Sequence, residues 1–307
     1  MPSPSSPHAI RYRVVDVFTK EPLLGNPLAV FPNAAGLDDV TMQKIARELN
    51  LSETVFLSPA TRADCAARVR IFTPAREMPF AGHPTVGASY ILRELGMVSK
   101  EQERFVLEEN IGPVPVRVET SGGGALIWLT TPPISFGESL DHSVCAQAFG
   151  LDRSDLLDVP PEIVSAGNPG VFVAVKSKQA VDRAWCDSSR SGRLQSKPTE
   201  SIFAFVFTPT KEGAYSRMFA PEHGVVEDPA TGSATGPLAA YMMRHGLAPT
   251  ADGTRLISEQ GTKMGRRSIL HIQIHGENGV DGIEVGGHVT PIIEGVMTLS
   301  FSRAARR

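Results

Sequence analysis

Two stretches of this chain are near copies of each other, and any fold it adopts has to accommodate both. The first reads Phe72-Thr73-Pro74, Glu77, then Pro79-Phe80-Ala81-Gly82-His83-Pro84-Thr85-Val86-Gly87-Ala88; the second reads Phe219-Ala220-Pro221, then Glu227-Asp228-Pro229-Ala230-Thr231-Gly232-Ser233-Ala234. With Pro84 laid on Pro229, His83 meets Asp228, Gly87 meets Gly232 and Ala88 meets Ser233. Each stretch reads as a strand end turning sharply into a helix. A proline holds the residue before it extended and is itself favoured at the first helical position, so His83 and Asp228 are expected at or near helix N-caps. The free N–H groups of a first turn, with the positive end of the helix dipole, suit a carboxylate or a developing negative charge. Gly82, Gly87 and Gly232 permit close backbone approach.

The hydrophobic pattern repeats with the turns. Residues 10–18 alternate as a strand, 28–31 form a second apolar run after Gly25-Asn26-Pro27, and Met42, Ile45, Ala46 and Leu49 mark a helix ending at Asn50. Strands are expected at 55–57 and 67–72. The first special turn then opens a helix with Ala88, Ile91, Leu92 and Leu95 inward and Gly96 at its end. Three further strands follow, the last two joined at Gly122-Gly123-Gly124, and from about residue 130 the order begins again. Gly167-Asn168-Pro169 echoes Gly25-Asn26-Pro27, the polar stretch 186–199 reads as a mobile surface loop, and Pro237 is expected to kink the helix of the second turn or mark a restart. This order predicts an α+β protein of two similar halves, each a curved, mostly antiparallel sheet wrapped around a central helix. The expected division is 8–128 plus 291–303 for the N-terminal half and 129–290 for the C-terminal half, with 1–7 a disordered tail. Ligand sites commonly form between such halves.

Composition narrows the function class. A net charge of −3 over 307 residues gives no electrostatic reason to expect nucleic acid or an anionic membrane. No run approaches a membrane-spanning length, and the Ser/Pro-rich start lacks the apolar core of a secretory signal. Cys65, Cys145 and Cys186 are odd in number and widely spaced, as expected of free thiols in a reducing cytoplasm. The eight histidines include no pair at helical metal-ligand spacing, and no phosphate-binding glycine motif occurs, so neither metal nor nucleotide cofactor is expected. Ser233 lacks the flanking glycines of a hydrolase elbow and reads as a hydroxyl for substrate or for Asp228. Glu53 lies between a helix end and an apolar strand, where burial would raise its carboxyl toward the range of a general acid/base; taken by itself, a Glu accepting backbone N–H bonds in the turn is the better reading.

Taken together, Val15-Asp16-Val17-Phe18, Gly25-Asn26-Pro27-Leu28-Ala29-Val30, Leu51-Ser52-Glu53-Thr54-Val55-Phe56, Gly82-His83-Pro84-Thr85, 227–234, Glu259-Gln260-Gly261 with Gly265-Arg266, and Val285-Gly286-Gly287 resemble the PhzF-like (phenazine biosynthesis) isomerase family. The resemblance implies a diaminopimelate epimerase-like fold, a homodimer, no metal or organic cofactor, and a small carboxylate-bearing substrate. It places the catalytic glutamate at Glu53, with His83 and Asp228 assisting and Gly82, Thr231, Gly232 and Ser233 binding substrate. Diaminopimelate epimerases and proline racemases carry a cysteine at each helix end. Neither turn here has one, which leaves a single-carboxylate proton shift in place of two-thiol racemisation. The alternative is a member of the same fold that binds a small molecule or a protein without chemistry; retention of Glu53, His83 and Asp228 together counts against it.

Overall fold

The structure, a computed structural model, describes residues 8–121, 124–194, 202–276 and 282–299. The first half runs β1 (His8–Val17), β2 (Asn26–Phe31), α1 (Asp39–Leu49), β3 (Glu53–Ser58), β4 (Ala67–Phe72), β5 (Glu77–Met78), α2 (Gly82–Glu94), β6 (Arg104–Glu109), β7 (Gly112–Ser121) and β8 (Gly124–Thr130). The second runs β9 (Ser135–Ser139), α3 (His142–Phe149), β10 (Glu162–Ser165), β11 (Pro169–Ala174), α4 (Lys178–Arg183), α5 (Ser188–Ser191), β12 (Phe203–Thr210), β13 (Gly213–Ala220), β14 (Val225–Asp228), α6 (Gly232–Arg244), β15 (Arg255–Gln260), β16 (Ser268–His275) and β17 (Gly282–Gly287). The chain then returns as β18 (Val289–Leu299), which pairs antiparallel with β1 of the first half, while β17 pairs with β8.

Each half is a sheet with a helix on its inner face and helical cover outside. The period of two along the strands decides which side chain meets which layer. In the first half Val15, Leu28, Val55 and Val69 point inward onto Ile91 and Leu92 of α2, while Phe31, Phe56 and Phe72 point outward onto Met42 and Ile45 of α1. The second half does the same. Phe172, Phe205 and Phe207 meet Leu238 and Tyr241 of α6, and Val171, Ala204, Val206 and Phe219 meet Phe149 and Val181 on the other face. Sheets covered on both faces explain why β13 is buried along its whole length.

The two halves correspond strand for strand, and the correspondence corrects the expected alignment. Ile71 lies opposite Met78 between β4 and β5, and Met218 lies opposite Asp228 between β13 and β14. The helices α2 and α6 begin at Gly82 and Gly232 and each spans 13 residues. Pro79 is therefore the counterpart of Pro229, Gly82 of Gly232 and His83 of Ser233. In this register an arginine–glutamate pair also repeats. Arg70 grips Glu77 at 2.8 and 2.7 Å, and Arg217 grips Glu227 at 2.7 and 2.8 Å. A proline shared by both turns fixed the wrong match because hydrogen-bond register, not local similarity, aligns two sheets.

Other expectations also shift. His83 lies inside the first turn of α2, whose N-cap is Ala81, and Asp228 ends β14 ahead of the N-cap Thr231 of α6. Neither residue is itself a cap. Leu95 is 39% exposed because α2 has already ended at Glu94, with Gly96 left-handed beyond it. The helix α6 continues through Pro237 without a restart, at the loss of the hydrogen bond that an N–H there would give to Ser233 O. Residues 188–194 are helical turns with Ser191 and Leu194 buried; the rest of the expected loop, 195–199, lies outside the described residues, as do tail residues 1–7 and Gly122 and Gly123. All three cysteines are free thiols, Cys145 and Cys186 buried and Cys65 half-buried. No helix is long and apolar enough to cross a membrane among the described residues.

Candidate active site

The two helix N-termini touch. A Cβ built on Gly82 would fall 2.6 Å from the carbonyl carbon of Gly232 and 2.6 Å from the amide nitrogen of Ser233, so only glycine fits. One built on Gly232 would meet the Phe18 ring at 3.0 Å and Gly82 backbone at 3.1 Å. Phe18 holds a left-handed backbone (φ 66°), and its ring also occupies the space a side chain at Gly287 would need. The Val-Asp-Val-Phe and Val-Gly-Gly motifs thus meet at one spot, bracing the first turn of α6.

Around this junction three separate segments bring together the titratable groups expected from the sequence. Glu53 is the first residue of β3, between the polar turn after α1 and the buried run that Thr54 starts. His83 Nε2 stands 3.5 Å from Glu53 Oε2, and neither atom has a hydrogen-bond partner within the protein although both are buried. Asp228, held extended by Pro229, accepts from Thr231 Oγ1 at 2.5 Å, from Asn26 Nδ2 at 2.8 Å and from Ser52 Oγ at 3.4 Å. Gly82, Thr231, Gly232 and Ser233 all lie on the two first turns or their caps, with Ser233 half-buried next to Gly82.

Burial and hydrogen bonding set the charges. Burial pushes the Glu53 carboxyl well above its ordinary range, and the nearby Asp228 carboxylate pushes it further. Burial also raises Asp228, to about 6, against the opposing hydrogen bonds of Thr231, Asn26 and Ser52. Glu53 accepts no such bonds, so it is the member that keeps a proton while Asp228 ionises. Burial holds His83 neutral, lowered to about 3. A neutral imidazole, a protonated acid and one carboxylate together can donate and accept protons.

Sequence reasoning assigned no role to Asn26, Arg266 or Gln260, which hold Asp228 and its turn. The Asn26 amide has two protons, and both are used: one on Asp228 and one, at 2.9 Å, on the carbonyl of Ala230. Arg266 positions Asn26 by gripping the preceding loop, with Nε on Gly25 O at 2.8 Å and Nη2 on Asp16 at 2.6 Å. Gln260, at the end of β15, donates to Asp228 O at 2.7 Å and to Thr231 Oγ1 at 3.0 Å, and accepts from Thr231 N at 3.2 Å. The signals were present as Gly-Asn-Pro and Glu-Gln-Gly, but nothing local says that an amide will face a carboxylate from the other half. Replacing Asn26 with alanine leaves Ala230 O without this donor and Asp228 with only the longer Ser52 contact on that oxygen. The variant is expected to lose about 2 kcal/mol of unfolding free energy, read from urea denaturation.

From the sequence the counterpart region of Glu53 is Asn168-Pro169-Gly170, which offers no acid; the strand register moves it. Leu28 pairs with Glu53 across β2 and β3, and Gly170 pairs with Phe203 across β11 and β12. With Gly-Asn-Pro superposed on Gly-Asn-Pro, the second half places Phe203 where the first places Glu53, in place of the Asn168-Pro169-Gly170 region. The acid is present on one side only.

Residues 15–295 match the family model described as "Phenazine biosynthesis-like protein". The trans-2,3-dihydro-3-hydroxyanthranilate isomerase of Pseudomonas aeruginosa is 36% identical over 93% of this chain and 98% of its own length. A Bacillus anthracis phenazine biosynthesis protein of the PhzF family has the same fold, with a TM-score of 0.85 at 27% identity, covering 95% of this chain and all of the other (100%). At the level of fold alone, a hydroxyproline epimerase from Agrobacterium vitis also matches, with a TM-score of 0.68 at 12% identity over 95% of this chain and 93% of the other.

Proposed function

Because the chain belongs to the phenazine biosynthesis-like (PhzF) family and is an isomerase of that family, we propose that it moves a proton between two carbons of a small carboxylate-bearing substrate, with Glu53 as the only shuttle and no cofactor. The observation that carries this reading is the convergence of Glu53, His83 and Asp228 where two helix ends meet, with a carboxyl oxygen of Glu53 left unpaired.

The leading amides of α2 and α6, those of Gly82, His83, Gly232 and Ser233, precede the first helical hydrogen bonds and carry the positive end of each dipole, so they grip the substrate carboxylate. The ionised form of Glu53 takes a proton from carbon; the bonding electrons enter the substrate's unsaturated system, and Glu53 returns the proton at the far end of that system. Burial makes its carboxylate a stronger base than an exposed one. Neutral His83, 3.5 Å away, supplies a hydrogen bond to the displaced charge without competing for the proton. Asp228 stays ionised and keeps the affinity of Glu53 for protons high.

The test is proton NMR of the enzyme with trans-2,3-dihydro-3-hydroxyanthranilate and with a panel of small unsaturated carboxylic acids. Isomerisation of at least one compound is expected; saturable binding with no conversion across the panel overturns the reading. The charge arrangement adds a pH prediction. Turnover rises with pH as Glu53 loses its proton, and Asp228→Asn, which removes the neighbouring charge, shifts that rise to lower pH. A rise at unchanged pH in this variant would mean that Asp228 does not tune Glu53.

A further inference from the structure

The strand that ends with Gln260 in the second half ends with Glu109 in the first. Tyr215 pairs with Glu259 between β13 and β15, as Arg68 pairs with Glu108 between β4 and β6, which sets Glu109 on Gln260. Gln260 holds the turn before α6 with a permanently neutral amide. Glu109 stands at the matching turn before α2, buried, with Oε1 2.6 Å from Thr85 Oγ1 and Oε2 without a partner.

Proton counting fixes the state of that carboxyl. Thr85 Oγ1 also lies 2.8 Å from the Ala81 carbonyl oxygen. Two oxygen pairs this close each need a proton between them, and the hydroxyl owns one. In the second half the equivalent Thr235 gives its proton to the equivalent carbonyl, that of Thr231, at 2.9 Å. If Thr85 does the same, the proton at 2.6 Å belongs to Glu109.

We propose that Glu109 is a neutral acid that donates to Thr85 and thereby locks the turn carrying Gly82 and His83, so that one jaw of the site is set by a protonation which the other does not need. Glu109 is a positioning residue, and its effect on turnover rests on the proton-shift reading above. Loss of its proton forces Thr85 to turn its hydroxyl toward the carboxylate and abandon Ala81 O. Burial pushes the Glu109 carboxyl up to about 8, with nothing but Thr85 to oppose it. Charged groups on the surrounding elements are engaged elsewhere. Arg68 of β4 pairs with Glu108 and Asn110, Glu77 of β5 with Arg70 and Asn110, and His83 of α2 sits by Asn26 and Glu53. Across β7 the facing residues are Gly112 and Pro113.

The test compares the wild-type enzyme with Glu109→Gln, which makes the first jaw like the second. A carboxyl raised in the folded state binds its proton there more tightly than in the unfolded chain. Wild-type stability therefore falls as pH rises from the ordinary carboxylate range and levels off above the folded value of about 8. Urea denaturation across this range is expected to show the wild-type folding constant falling against that of Glu109→Gln by up to about tenfold per pH unit. A pH-independent difference between the two overturns the proposal, and this arm needs no substrate, so failure of the proton-shift reading leaves it intact. In turnover, Glu109→Gln is expected to stay within about threefold of wild type near neutral pH and to lack the decline above pH 8 that wild type shows; an identical decline overturns the site-positioning role. Should Glu109→Gln not fold, ¹³C-glutamate NMR of Glu53→Gln protein serves instead. One carboxyl resonance titrating near 8 supports the proposal, and none overturns it.

Discussion

Glu53→Gln is expected to bind substrate and not to turn it over. The replacement keeps the shape and neutral charge that burial already imposes on the protonated glutamate, so the fold and the grip of the helix ends are preserved. In the proposed mechanism it removes the general base, and neither neighbour replaces it: burial leaves His83 a weak base, lowered to about 3, and Asp228 is tied up by Thr231, Asn26 and Ser52. Loss of a positioned general base costs about a hundredfold to ten-thousandfold in rate. The upper part of that range is expected, since no second acid or base can substitute. The check is kcat beside the rise in melting temperature with ligand, which should match that of wild type by linkage.

The second large effect is expected from Gly82→Ala, a change of one methyl group. Its Cβ would lie 2.6–2.7 Å from the backbone of Gly232 and Ser233, which cannot swing aside as a flexible side chain can. The two helix ends must separate. Overpacking of this kind costs about 1–3 kcal/mol of stability. Separation also displaces His83 from Glu53 and spreads the amides meant for one carboxylate, and misplacement of about 1 Å costs roughly a hundredfold in rate. Gly232→Ala, with contacts of 3.0 and 3.1 Å, should be milder in both. Steady-state kinetics and thermal melts of the pair check the order, and equal effects would contradict the contact geometry.

Much of the framework was legible in the residues. Period-two alternation, the capped end of α1 at Asn50 and the paired Phe-x-Pro turns led to two sheet-and-helix halves, and the candidate site was sought between them. The register between the halves was not legible. His83-Pro84 and Asp228-Pro229 look alike locally, while the true match rests on Ile71 facing Met78 and Met218 facing Asp228 across separate strands. Long-range hydrogen bonds carry no local signature, so Asn26 and Gln260 went without roles until the fold brought each against Asp228 or its turn. Glu109 was hidden for another reason. In the polar run Glu108-Glu109-Asn110 it looks like a solvated residue, and only strand alternation turns it inward toward Thr85.

The corrected register also shows that the two halves differ in where they carry acids. Glu53 faces Phe203 across the pseudo-symmetry and Asp228 faces Met78, so each carboxyl of the pair has an apolar counterpart. In the proposed mechanism the symmetric helix ends bind and the unsymmetric acids react.

The central claim, that Glu53 carries a proton from one carbon to another, is tested most directly with substrate deuterated at the carbon that loses its proton. Wild type is expected to show a primary isotope effect and to deliver part of the deuterium to the newly protonated carbon, with Glu53→Gln giving neither conversion nor transfer. Turnover by Glu53→Gln with the same isotope effect and the same transfer would contradict it.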